Sequence, residues 1–167
     1  FRVSTGKMLK FGIQNGLNVA RLGLTEDQIL TACSLADKTG YHSIWYMDHS
    51  NVPQWSNAIV NDPWVMLAGI AAVTNNVELG TCVTDALRRH PSNIALASIT
   101  LDRLSKGRGT LGIGAGEAQN LKEFNIPFDK PVSKFEEQLQ VIKHLYDSDP
   151  DNRKTWEGKY YQLTEAC

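Results

Sequence analysis

Cysteine is scarce: the 167 residues contain only Cys33, Cys82 and Cys167. An odd number at wide spacing is no disulfide framework and lacks the paired spacing of a zinc site, so a reducing cytoplasm is the expected compartment and no metal is expected. Long apolar runs are missing too. Nothing approaches the roughly 20 residues that cross a bilayer, and the first residues lack a secretion signal's hydrophobic stretch, so no membrane partner is expected. Nor does one sign of charge dominate. Lysine and arginine number 17 against 18 acidic residues, a formal charge of −1, which gives no overall pull towards nucleic acid. The familiar nucleotide motifs fail as well: a dinucleotide fingerprint would need glycine where Glu117 stands, and no lysine-serine or lysine-threonine pair follows to make a phosphate loop. There is no nucleophile elbow and no helical zinc motif.

What the chain does have is a fourfold alternation of short apolar runs with helical patterns. Phe11 to Gln14 reads as a first strand. Thr25-Glu-Asp-Gln28 is a capping box that opens a helix ending at Gly40. Ile29, Cys33 and Ala36 share one face of it, which makes Cys33 a buried apolar residue rather than a nucleophile. The second unit pairs the strand His42–Met47 with a helix opening at Asp62-Pro63 and running to about Thr74, apolar nearly all round and so expected to be packed on several sides. The third pairs Val77–Val83 with a helix after Pro91. The fourth pairs Gly109–Ile113 with a helix started by a second capping box, Ser133-Lys-Phe-Glu136. Asp147–Lys154 is a charged turn, and Trp156–Leu163 a small strand or hairpin edge.

Strands alternating with helices imply a parallel sheet, because parallel neighbours need a crossover. The expected fold is α/β, a single domain over residues 8–167 that forms about the N-terminal half of a (β/α)8 TIM barrel; residues 1–7 read as an upstream or added segment. A full barrel takes about 250 residues. Half of one leaves open parallel edges, so a missing C-terminal half or a second copy, as in a homodimer, is expected to complete it.

The reactive candidates gather at one end of this sheet. Asp48-His49 follows strand two, Cys82-Val83-Thr84 closes strand three, and the tract Leu111-Gly-Ile-Gly-Ala-Gly-Glu-Ala-Gln-Asn120 follows strand four. In a barrel these positions share the C-terminal rim, where such enzymes place their sites. Three glycines in the tract suggest that something flat lies against its backbone. His49 suits proton exchange near neutral pH; Glu117 becomes a proton donor if apolar strands wall it in, or else caps a short helix from Ala118. Arg88-Arg89 could hold an anionic tail or form a solvated basic turn. His144, far from the rim, reads as a packing residue.

Taken together, Lys10-Phe-Gly-Ile13, Trp45-Tyr-Met-Asp-His49, Leu79-Gly-Thr-Cys-Val-Thr84, Arg89-His-Pro91, Leu101-Asp-Arg-Leu-Ser105, Gly107-Arg108, Gly112 to Asn120 and Gly158-Lys-Tyr-Tyr161 resemble the bacterial-luciferase-like flavin and deazaflavin oxidoreductases. The closer resemblance is to the branch that uses coenzyme F420, an 8-hydroxy-5-deazaflavin. It implies a non-proline cis peptide at Cys82-Val83 against one face of the ring. It also implies cofactor contacts from Asp48, Cys82, Val83, Gly114, Ala115, Glu117 and Asn120, with His49 and Glu117 as acid-base residues. Gln14, where methylenetetrahydromethanopterin reductases carry glutamate, and Trp55, similar to a substrate-covering tryptophan of sugar-phosphate members, would face a small-molecule substrate. The implied reaction is hydride transfer between deazaflavin and that substrate, whether methylenetetrahydromethanopterin-like, an alcohol or a sugar phosphate. The alternatives are an FMN-dependent monooxygenase of the same family and a non-catalytic barrel relative.

Overall fold

A computed structural model describes residues 9–15, 22–50 and 60–167. Strands β1 (Gly12–Asn15), β2 (Ser43–Tyr46), β3 (Glu78–Thr81) and β5 (Gly109–Thr110) form one parallel sheet in that order. Gln14, Trp45, Gly80 and Thr110 stand in one row across it, and Ile13, Ile44, Leu79 and Gly109 in the next. Side chains of successive rows point to opposite faces. Ile13, Ile44 and Leu79 therefore go under the helices, where Ile44 and Leu79 are wholly buried. The expected α/β architecture is observed as an arc of four strand-helix units.

The third and fourth strands are each interrupted. Strand β4 (Thr84–Asp85) continues β3 beyond Cys82-Val83, and β6 (Ile113–Gly114) continues β5 beyond Leu111-Gly112, with β4 and β6 paired in a sheet of their own. Between the pairs Gly80–Thr110 and Thr84–Ile113 the third strand carries one residue more than the fourth, a bulge at the rim. The third strand breaks at Cys82-Val83, where the resemblance implies a bulge with a cis peptide, but Gly109–Ile113 reads as one unbroken strand. The structure corrects this: the Thr81 hydroxyl donates to the Gly112 carbonyl at 2.6 Å and accepts from the Gly112 amide at 3.2 Å, standing in for the missing ladder.

Four longer helices cover the outer face of the strands: α1 (Glu26–Lys38), α2 (Pro63–Val73), α3 (Pro91–Ser105) and, after the short α4 (Ala118–Lys122), α5 (Pro131–Tyr146). The Thr25–Gln28 capping box forms as read, and Gly40 beyond the C-cap adopts φ +86°. Asp62 caps α2 through Trp64 and Val65, and the His90 ring caps α3 through the Ser92 amide. The second expected box does not form. Lys130, in a left-handed conformation, precedes Pro131 at the start of α5, so Ser133 lies inside the first turn. Helix α2 packs on several sides, as expected, against α1, α3 and strands β2 and β3; Met66, Leu67, Ile70 and Ala71 are buried, and Val65, on its outer stripe, is 71% exposed.

Cys33 is buried with Ile29 and Ala36; burial pushes its thiol pKa up, against a bond from Asn15. A second core joins Ile94 and Ala95 of α3 to Val141, Ile142 and Leu145 of α5 and to Leu163 of the antiparallel hairpin β7 (Lys154–Glu157) and β8 (Gln162–Ala166). His144 stacks edge-on against Trp156, the packing role expected of it.

Two charged residues fasten the end of the sheet opposite the rim. Buried Asp37 accepts from the amides of Asn75, Asn76 and Val77 at 2.7–3.0 Å. Arg108 donates to the carbonyls of Ser105, Val77 and Thr74 at 2.7–3.0 Å, which satisfies the end of α2. Among the described residues, no helix is long and apolar enough to cross a membrane.

Candidate active site

The ends of β2, β4 and β6 border a cleft of about 280 Å³. Asp48, His49, Cys82, Val83, Gly114, Ala115, Glu117 and Asn120, dispersed along the sequence, all line it. Met47, Asp85 and Gly116 complete the lining. The Cys82–Val83 peptide is cis, and Val83, 48% exposed, presents an apolar surface at the bulge. Gln14 lies outside this lining but directs its amide to the Cys82 sulfur at 3.7 Å. Trp55 falls outside the described residues.

Asp48 closes β2 as the centre of a buried ion cluster. Arg88 donates to its Oδ1 and, at 3.1 Å, to its carbonyl; Arg89 Nε donates to Oδ2 at 2.9 Å; and Thr84 Oγ1 donates to Oδ2 at 2.5 Å. Burial opposes ionisation of Asp48, but the bonds from Arg89 and Thr84 and the two guanidinium charges outweigh it and hold its pKa below the usual carboxylate range. Arg89 also reaches Asp62 at 2.6 Å, and Trp64 donates to Thr84 at 3.3 Å, so the cluster ties β2 and β4 to the start of α2. The arginine pair thus has neither role considered for it, anion holder or solvated turn. Arg88 pairs with Asp48 and Arg89 with Asp48 and Asp62, and both carboxylate oxygens of Asp48 are engaged.

The glycine tract also reads differently once folded. A β-carbon on Gly112 would overlap the Thr81 carbonyl oxygen, and one on Gly114 would come within 2.8 Å of Val83 Cγ2. The glycines make room for the chain's own third strand, and Gly114 and Gly116 also line the cleft. The packing leaves Val83 of the bulge exposed at the cleft.

Glu117, within the tract, stands at the N-cap of α4 and is exposed rather than walled in by apolar strands; it makes no cap bond. Its carboxylate instead accepts from Gln119 at 2.6 Å and Asn120 Nδ2 at 3.5 Å. Asn120 is 3% exposed, and its carbonyl accepts from Ser50 Oγ at 2.8 Å, joining this loop to the one that carries His49.

Buried polar atoms almost always find partners, so each orphan calls for one, whether a ligand, a water or another side chain. Among the described residues these are His49 Nδ1, Asp85 Oδ2, Arg88 Nε, Asn120 Oδ1 and Gln138 Oε1. Three of the five residues line the cleft. Wider hollows, about 620 and 680 Å³, open beside Leu35 and Val73 and beside Phe11 and Tyr41, but neither is lined by such a residue. Asp85 escaped the sequence reading, although Asp85-Ala-Leu-Arg88 has the form of an aspartate-led turn.

Residues 9–167 match the family model described as luciferase-like monooxygenase. The chain is similar to a phthiodiolone/phenolphthiodiolone dimycocerosates ketoreductase of Mycobacterium bovis, 34% identical over 178 aligned positions covering 95% of this chain and 46% of that protein. It is 37% identical over 135 positions to an F420-dependent glucose-6-phosphate dehydrogenase of Kineococcus radiotolerans, covering 78% of this chain and 39% of the relative. Among solved structures, an F420-dependent secondary alcohol dehydrogenase in complex with an F420–acetone adduct superposes with a TM-score of 0.82 at 25% identity, covering 94% of this chain and 47% of that one. The chain spans about half the length of the curated relatives it matches.

Proposed function

Since the chain belongs to the luciferase-like monooxygenase family, we propose that its cleft serves an F420-dependent oxidoreductase that interconverts an alcohol and a carbonyl group on a small organic substrate. The observation that carries this reading is the cleft itself, in which the exposed Val83 bulge stands with the unpartnered His49 Nδ1 and Asn120 Oδ1. An apolar face edged by polar atoms without partners suits a flat, hydrogen-bonding ring. The volume, near the lower end of the roughly 300–1,000 Å³ usual for ligand sites, suits a ring system rather than a whole cofactor with its substrate. F420 is preferred to FMN because the glucose-6-phosphate dehydrogenase and the alcohol dehydrogenase are both named for it. Alcohol–carbonyl chemistry is preferred because those two and the ketoreductase are all named for it.

Val83, Gly114, Ala115 and Asn120 would hold the ring, with Cys82 beside it. When bound, the deazaflavin supplies a hydride donor and acceptor at ring carbon five. The protein's share is position and proton management. Oxidising an alcohol carbon releases the hydroxyl proton, and His49 would take it on its imidazole; in the reducing direction it would return it. Glu117, at the mouth, would orient Asn120 through the Nδ2 bond and form the second acid-base group. Gln14, by its place next to Cys82, and Trp55 would meet the substrate.

Replacing His49 by Ala tests the proton role. Loss of general acid-base catalysis is expected to slow turnover about 10²–10⁴-fold at saturating cofactor, beyond any weakening of ring binding from the lost Nδ1 partner. A His49→Ala variant with undiminished turnover would remove His49 from the reaction. A Glu117→Gln variant unchanged in both binding and turnover would remove Glu117.

A further inference from the structure

We infer that Asp85 is a further ligand-binding residue of the cleft, its free carboxylate oxygen accepting a hydrogen bond from an N–H or O–H group on the edge of the bound ring; the inference rests on the reading of the cleft as a ring site. Asp85 ends β4, is 4% exposed, and lines the cleft with His49 and Asn120. One carboxylate oxygen is fully used. Oδ1 accepts from the Leu87 amide at 2.9 Å and the Arg88 amide at 3.2 Å, which closes the turn into α3. The other oxygen, Oδ2, is buried and has no partner within the chain. The two turn bonds fix the plane of the carboxylate, so Oδ2 cannot swing to solvent without breaking them.

The glycine loop is built around this group. Gly116 holds φ +84°, and a β-carbon there would stand 2.5 Å from Asp85 Oδ1 and 3.1 Å from Oδ2. Only glycine lets the loop close so near the carboxylate. Across the same cleft, Asn120 Oδ1 is buried without a partner while its Nδ2 turns to Glu117. Two residues therefore bring unfilled acceptors to the site. Acceptors select donors: an imide N–H or a hydroxyl belongs at this end of the ring, and an anionic group is rejected. A rival explanation lies within the chain, since Arg88 Nε is also buried without a partner and could be the donor Asp85 lacks.

The experiment is titration of wild type, Asp85→Asn and Asp85→Ala with F420 and separately with FMN, followed by calorimetry, together with thermal melts of the ligand-free proteins. Asp85→Asn keeps an oxygen for the Leu87 and Arg88 amides and turns an NH2 group towards the ring's donor. The expected result is that both variants bind the ring preferred by wild type at least about tenfold more weakly, as when a buried donor–acceptor pair is broken, with ligand-free melting of Asp85→Asn unchanged. Affinity within twofold of wild type in both variants overturns the inference and leaves the ring site standing. Intact affinity with lowered ligand-free melting overturns it in favour of pairing with Arg88. Wild type that binds neither ring overturns both the inference and the reading beneath it.

Discussion

Substituting Gly112 by alanine adds a single methyl group at the point where the third and fourth strands part. That methyl would overlap the carbonyl oxygen of Thr81 and stand 3.1 Å from its carbonyl carbon, both backbone atoms. Thr81 cannot retreat cheaply, because its hydroxyl is bonded to the Gly112 carbonyl at 2.6 Å and to the Gly112 amide at 3.2 Å, and it is wholly buried. Overpacking of this kind costs about 1–3 kcal/mol, and a backbone obstacle places it at the upper end. Gly112 is not among the positive-φ glycines, so alanine also recovers about 0.4–1 kcal/mol by restricting the unfolded chain. The net loss is about 2 kcal/mol, which for a chain of this size lowers the melting temperature by roughly 4–8 °C. Differential scanning calorimetry reads this directly. Gly114→Ala is the internal control, since its methyl meets only the movable Val83 side chain and should cost less than half as much. If Gly112→Ala melts with wild type, or Gly114→Ala is the worse of the two, the strands are not packed at the bulge as described.

Asp48→Asn should destabilise the fold by about 3 kcal/mol in urea unfolding at pH 7, because two guanidinium groups lose the carboxylate that compensates them. The Asp48 pKa is depressed below its ordinary value near 3.8, so its contribution is complete above that pH and disappears as pH falls through the folded-state value; the gap between wild type and Asp48→Asn should narrow below about pH 4. A gap that stays constant down to pH 2 would contradict the ion cluster. Asp37→Ala should cost about 2–3 kcal/mol, since three backbone amides lose their acceptor, and hydrogen exchange should quicken at Asn75, Asn76 and Val77. Unchanged exchange there would refute it.

Local signals in the sequence were reliable where the structure keeps them local. The Thr25–Gln28 box, Asp62 before Pro63, and Gly40 after α1 each act within one turn of chain, and each formed as read. Ser133–Glu136 misled because Pro131 two residues earlier already suits the first helical position and takes it. Partners far along the chain were beyond reach. Nothing near Gly112 says that its missing side chain makes way for Thr81, and nothing near Arg88 and Arg89 says that Asp48 will claim them. The rim was legible because a parallel strand-helix repeat brings every strand end to one side, whatever the side-chain details. Which polar atoms at that rim are already satisfied depends on three-dimensional pairing, and for that reason neither the ion pairs that hold Asp48 nor the unpartnered oxygen of Asp85 was legible in the sequence.

The central claim is that the cleft at Val83, His49 and Asn120 holds a deazaflavin ring. Anaerobic titration of the purified protein with F420 and, separately, with FMN, watching the absorbance and fluorescence of each, tests it most directly. Saturable spectral changes are expected with F420, much weaker ones with FMN, and loss of the F420 response when Gly114→Ala displaces Val83. Saturable binding of FMN alone, or F420 binding that is indifferent to Gly114→Ala, would contradict it.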